Sequence, residues 1–309
     1  MALETLSSTP RLASIVARSA LARGPRSQAL PDTPLRLVDV RVDRANLLAY
    51  QRLCGFAVGD LLPHTYPHLL GFPLHAELMS RPSFPLPLLG LVHLENVVTV
   101  HRPLRAEDRF EVTVAAQDLR AHAKGQQVDL VTRVLRGSEL AWEGRSTYLT
   151  RGKAHPDADP GTAPPPLPTG FPAATWTLPR GLGREYAAGS GDVNHIHLHQ
   201  WSAKAMGFRR AIAHGMWTYA RVLGSLGASA ARPSTSQVWF RKPVFLPGQV
   251  DLVVGKDGGR TTAGLRSTRR PEVEHLVLTL DEHHWDRHSG LAGRSSVDAA
   301  LIERQLPVQ

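Results

Sequence analysis

With a single cysteine, Cys54, in 309 residues, the chain cannot build an internal disulfide framework or a cysteine-based metal cluster, which fits a reducing compartment. No apolar run approaches the roughly 20 residues needed to span a bilayer, and the N-terminal stretch lacks an apolar secretory core. The expectation is a soluble, cytoplasmic protein. Basic residues exceed acidic ones, giving a formal charge of +9 and a pI near 10.3. The arginines are nevertheless scattered and no aromatic-basic RNA motif accompanies them, so no nucleic-acid partner is expected. Ser190 and Ser225 have neither a nucleophile elbow nor an ordered triad, which argues against serine-hydrolase chemistry.

What is present divides the chain in two. Residues 154–173 hold Pro156, Pro160, Pro164, Pro165, Pro166 and Pro168 with little apolar content, the composition of a stiff, extended connector. It separates a module over 31–153 from a second over 174–287, with an N-terminal extension at 1–30 and a polar tail at 288–309. The extension carries four arginines against a lone Glu4; it reads as a short docked helix begun near Thr9-Pro10, or a frayed end, rather than a presequence.

Each half offers a glycine-punctuated loop and a helical stretch, then several β-rich runs, which predicts two α+β modules with antiparallel sheets. Arg102-Pro103-Leu104 lines up with Lys242-Pro243-Val244 at a constant offset, and Tyr50 and Gly71-Phe72 line up with Tyr186 and Gly207-Phe208 at a smaller one. An internal duplication follows. In that alignment Phe56 and Leu61 fall where Asp192 and His197 stand, leaving one reactive module. Central helices are predicted over 215 to about 227, with Met216, Ala220, Leu223 and Leu226 at helical spacing, and around 67–79.

The chemistry concentrates in one segment. Gly191-Asp192-Val193-Asn194-His195-Ile196-His197 packs an acid, an amide and an imidazole into a glycine-rich turn, and Ile212-Ala213-His214-Gly215-Met216 follows. A carboxylate and an imidazole around one water can deprotonate it and return a proton elsewhere, which is hydration or dehydration chemistry. Free amides at a helix start, here that of Gly215, stabilise charge developing on a carbonyl oxygen. A thioester carbonyl conjugated to an alkene suits both devices.

This pattern resembles the hydratase motif of MaoC-like (R)-specific enoyl-CoA hydratases and 3-hydroxyacyl-thioester dehydratases. Cys54-Gly55-Phe56, Leu62-Pro63-His64-Thr65-Tyr66-Pro67-His68, Phe72-Pro73-Leu74 and Leu89-Gly90-Leu91-Val92-His93 are similar to the N-terminal half of that family's long members, so the likeness covers most of 31–287. The resemblance implies a double hotdog, two antiparallel sheets each wrapped around a central helix, forming a pseudo-dimer within one chain; a homodimer of such chains is a further possibility. It implies that Asp192 and His197 bind and activate water, that Asn194 braces the turn, and that the Gly215 amide meets the thioester oxygen, with His214 and Met216 completing the binding set. It also implies R stereochemistry and no cofactor or metal, coenzyme A or carrier-protein pantetheine being part of the substrate. The basic charge would then attract coenzyme A phosphates or an acidic acyl carrier protein. His195 departs from the family, which usually has proline there.

Other readings of the same residues remain open. Asp192 and Asn194 also serve as turn formers and helix caps, and His214 as a group that orients its loop. His195, His197 and His199 alternate as metal ligands do along a strand, but they sit in a turn entering a helix. Asp281, His283, His284, Asp286 and His288 read as a solvated strand end. A hotdog thioester hydrolase and a non-catalytic acyl-thioester binding or scaffold subunit are the rival functions.

Overall fold

The computed structural model describes residues 3–21, 26–88, 90–227 and 232–283. The first half runs β1 (Glu4–Thr5), α1 (Leu12–Leu21), β2 (Leu35–Val40), α2 (Arg44–Cys54), α3 (Tyr66–Ser80), β3 (Val92–Val100), β4 (Phe110–His122), β5 (Gly125–Arg136) and β6 (Glu139–Arg151). The second runs β7 (Ala174–Leu178), α4 (Leu182–Ser190), α5 (His195–Leu198), α6 (Gln200–Ala205), α7 (Gly215–Ser225), β8 (Ser234–Phe240), β9 (Gly248–Asp257), β10 (Arg260–Ser267) and β11 (Glu274–Glu282). The proposed tail at 288–309 and His284, Asp286 and His288 lie outside the described residues.

Strand order is β2-β4-β5-β6-β3 in the first half and β7-β9-β10-β11-β8 in the second, the same order in equivalent positions. All of these pairings are antiparallel; β1 adds to β2 in parallel. The two sets join edge to edge, β3 against β8 with Val97 opposite Gln237, into one eleven-stranded sheet. The junction is held by side chains as well as by the ladder: Thr99 Oγ1 lies 3.1 Å from Thr235 Oγ1, and Gln237 Nε2 donates to Glu95 Oε1 at 2.9 Å. Such pairing leaves neither β3 nor β8 with a free edge.

The central helices lie against this sheet. α7 buries Met216, Tyr219, Ala220 and Leu223, with Leu226 packed on the edge of the same core. α3 is apolar on most sides, as a helix enclosed by protein must be, and its Leu74 and Leu78 fill a second core under β2, β4 and β5. The modules lock through α2. Trp217 Nε1 donates to Leu53 O at 3.2 Å, Asn46 Nδ2 donates to Gly189 O at 2.7 Å, and Gly224 sits where a Cβ would be 3.0 Å from the Gly55 carbonyl. α1 is a docked helix starting at Leu12, its Ile15 buried. Residues 152–173 form no helix or strand; Pro168 packs on Gly255, and Thr162 O accepts from Trp239 Nε1 at 3.0 Å. No described helix is long and apolar enough to cross a membrane.

The duplication is visible in matching bonds and corrects part of the sequence alignment. Leu62 N–H donates to Leu104 O as Ala213 N–H donates to Val244 O, and Leu61 bridges Arg105 as Ile212 bridges Phe245. Gly55 and Gly191, both left-handed, end α2 and α4 (φ 74° and 73°), so Phe56 does follow its helix as Asp192 does. Leu61, however, is the counterpart of Ile212, not of His197. His197 belongs to an insertion, α5 and α6, that the first module lacks. Gly71 lies inside α3 whereas Gly207 follows α6, so that residue match was coincidental.

Candidate active site

The site is made by a chain reversal. α4 ends on Gly191, whose left-handed backbone directs its N–H to Ala187 O at 2.9 Å. Glycine reaches this conformation without steric cost, and a Cβ here would also run into Leu12 of α1. Asp192 comes next, half-buried; its N–H donates to Ser190 Oγ at 3.2 Å and its Oδ1 accepts the Asn194 N–H at 3.2 Å. Asn194 caps α5, its side chain accepting the Ile196 N–H at 3.4 Å. His195 therefore occupies the first helical position, where proline is favoured because no N–H is needed.

α5 carries His197 inward. Its Nδ1 lies 2.9 Å from Ile212 O, and Ile212 N–H donates to Ile196 O at 3.1 Å, so the two motif segments are stitched together. A carbonyl only accepts, so Nδ1 carries the proton and Nε2 keeps its lone pair. The imidazole is 8% exposed and burial pushes its pKa down to about 3. It is a neutral ring with one basic nitrogen.

His214 stacks on His197, centroids 3.7 Å apart and planes 28° from parallel. Its Nε2 lies 3.0 Å from Asp192 O and 3.8 Å from Asp192 Oδ2, while its Nδ1 is buried without a partner. Burial lowers its pKa as well, opposed by Asp192. His214 thus ties the Asp192 loop to the start of α7. Gly215 is the first residue of α7, and its amide has no intrahelical acceptor. An added Cβ there would press on the Phe240 ring at 3.1 Å.

These groups border a cavity of about 650 Å³. Asp192, Asn194, His197, His214, Gly215 and Met216, which the sequence singled out, all line it. Facing them is the first module: His68, Leu69, Phe72 and Met79 from α3, His93 from β3, and Tyr148 from β6. Leu12 and Val16 of α1 close part of the wall, and Arg241 and Lys242 stand on its border. Along α3, Leu69 and Phe72 reach the cavity while Leu74 is fully buried in the second core.

The alternating imidazoles do not share a face: His197 is buried, His195 and His199 exposed, and His199 stacks on Trp201. The set that does converge is Asp192, His197 and His214, whose possible ligand atoms lie within 4.8 Å of one another. Asp281 is engaged by Arg260 at 2.7 and 3.0 Å, and His283 by Thr235 at 3.0 Å. Ser190 and Ser225 donate back to helical carbonyls, Tyr186 O and Arg221 O, as helical serines do.

A family model for the MaoC like domain matches residues 174–275. The chain is 36% identical over 267 residues to 3-hydroxyacyl-thioester dehydratase X of Mycobacterium tuberculosis, spanning 85% of this chain and 94% of that protein. The crystal structure of HtdX from the same organism matches with a TM-score of 0.71 and 34% identity, over 81% of this chain and 100% of that one. A MaoC-like dehydratase from Phytophthora capsici matches with a TM-score of 0.67 over 82% and 96% of the two chains, and its 18% identity bears on the fold alone.

Proposed function

The chain belongs to the MaoC-like dehydratase family, with the hotdog architecture of that family, and we propose that it is a hydro-lyase acting on acyl thioesters at the cavity between its two modules. It adds water across a 2-enoyl thioester and removes it from an (R)-3-hydroxyacyl thioester. The observation that carries this assignment is the convergence on one cavity of a carboxylate, an imidazole with a free Nε2, and the unpaired amides at the start of α7.

Asp192 and His197 hold the water between them. As its oxygen bonds to C3, electrons move from the alkene onto the thioester oxygen, where the Gly215 amide and the positive end of α7 stabilise the enolate-like charge. One proton of the water passes to the Asp192–His197 pair and one is returned to C2, so the pair ends as it began. Asn194 fixes the turn, and His214 and Met216 shape the floor beside Gly215. No group beyond the substrate's own pantetheine thioester is called for. Arg241 and Lys242 suit the phosphate of coenzyme A or of a carrier protein. The paired modules make one complete site per chain, and the lone buried Cys54 accords with a cytoplasmic location.

The test is incubation with short and long trans-2-enoyl-CoA, following enoyl absorbance and free thiol together and resolving the product's stereochemistry. Absorbance loss without thiol, giving the R alcohol, is expected. Thiol release at the rate of absorbance loss would instead make the protein a thioesterase, and binding without turnover would make it a carrier or scaffold.

A further inference from the structure

The wall opposite Asp192 is not the hydrocarbon surface that a plain alkyl chain needs. His68 is 4% exposed, borders the cavity, and makes no ring hydrogen bond to any described residue. Its ring is 5.3 Å from that of His75 and 6.3 Å from that of His93. His93 in turn stacks on Tyr148 at 4.5 Å and touches Phe240 at 4.9 Å, the ring that lies under Gly215. A continuous row of rings therefore leads from the proposed oxyanion amide to His68, deep between α3 and β3. The others in the row have partners: His75 Nε2 sits 2.6 Å from Thr132 Oγ1, His93 Nε2 receives Asn96 Nδ2 at 3.5 Å, and Tyr148 lies beside Ser146. Of this row, His68 is the ring that lines the cavity with neither nitrogen hydrogen-bonded to a described residue, whereas His75, whose Nδ1 is also unpartnered, does not line it. Burial pushes its pKa down to about 4, so it is neutral and presents one donor and one acceptor.

Leaving such a group unsatisfied costs free energy, whereas pairing it with a ligand oxygen recovers that cost. Beyond C3 an acyl chain running along this row meets Leu69, Phe72 and Met79 on the same helix, so the apolar wall is interrupted at one place. We propose that this enzyme's substrates are acyl thioesters carrying a second oxygen function, a hydroxyl or a carbonyl, on the chain beyond C3, and that His68 receives that oxygen. His68 is then a specificity-determining residue, distinct from the pair that activates water. The proposal rests on the dehydratase assignment for its reaction, but not for the binding it predicts.

The experiment uses trans-2-decenoyl-CoA and a series in which one hydroxyl is moved carbon by carbon along the chain beyond C3, with the saturated analogues for binding by calorimetry. One position is expected to raise kcat/KM and affinity about tenfold over the unsubstituted chain, the worth of one recovered hydrogen bond. His68→Phe, which keeps a ring of similar shape, should bring both ratios to about one, and His68→Gln should restore part of the preference. Near-ultraviolet circular dichroism establishes that each variant is folded. Hydration of the plain chain with no preference at any position overturns the proposal and leaves the reaction standing. A binding preference without hydration of any member would leave His68's role intact and overturn the dehydratase assignment.

Discussion

Gly183 has no side chain to take part in the reaction, yet its replacement by alanine should nearly abolish turnover. It sits in the first turn of α4 and packs against the backbone of the residue that supplies the imidazole. A Cβ built on it would lie 2.9 Å from the His197 carbonyl carbon and closer still to its oxygen. Ordinary contact begins near 3.4 Å, and neither partner is a flexible side-chain end, so α4 and α5 must separate by about an ångström. His197 is held on the other side by Ile212 O at 2.9 Å, so this displacement moves Nε2 relative to Asp192. A misplacement of that size costs about 10²-fold in a reaction that depends on alignment. Overpacking adds about 1–3 kcal/mol of destabilisation, offset in part by the better helix propensity of alanine. Gly189→Ala in the same helix is the control, because its Cβ would meet only Asn46 Nδ2, at 3.9 Å. Initial rates of enoyl-CoA hydration, with thermal melts alongside, decide the matter. Wild-type kcat in Gly183→Ala would refute the claim that backbone contact between α4 and α5 sets the imidazole's position.

Acid should destabilise the fold well above the usual carboxylate range. Burial holds His64, His93 and His197 near pKa 3 and His68 near 4, against an ordinary 6.5. Below 6.5 the unfolded chain takes up protons that the folded chain refuses, so stability present above that pH is lost as pH falls, by roughly 1.4 kcal/mol per group per pH unit. Urea midpoints should drop steadily between pH 7 and 5; a flat profile would mean that these rings are not buried neutral. The same depression predicts no break in kcat/KM near 6.5, and a break there would assign His197 an ordinary pKa. Cys54, fully buried with its thiol pushed up to about 12, should resist a thiol-reactive disulfide in the native protein and react fully once unfolded; rapid native labelling would contradict its placement.

The loop that carries Asp192 was legible in the sequence because its determinants are local. Gly191, Asp192 and Asn194 form a turn through bonds spanning two to four residues, and Gly215 begins α7 where the His-Gly pair predicts it. The long strands and both central helices are likewise encoded by contiguous apolar patterns. β2 and β7 went unread because each is short and is defined by its partner, β4 or β9. The fusion of the two sheets through β3 and β8 was also unread, since alternation fixes which face a strand buries but not which edge it joins. The cavity wall was hidden for a similar reason: His68, His93 and Tyr148 lie on three elements that meet Asp192 only through the docking of the modules. Matching residue types misplaced Leu61 and Gly71 because an insertion carrying α5 and α6 breaks the repeat between Gly191 and Ile212.

The central claim is that Asp192 moves the proton in a hydration carried out at the junction of α4, α5 and α7. Asp192→Asn keeps the shape of the side chain and its acceptor to the Asn194 amide while removing the basic oxygen pair. Turnover of trans-2-enoyl-CoA by this variant, measured beside the wild type with matched circular dichroism and melting, should fall by about 10²–10⁴-fold at unchanged fold. A variant that hydrates the substrate at the wild-type rate would contradict the account at its centre.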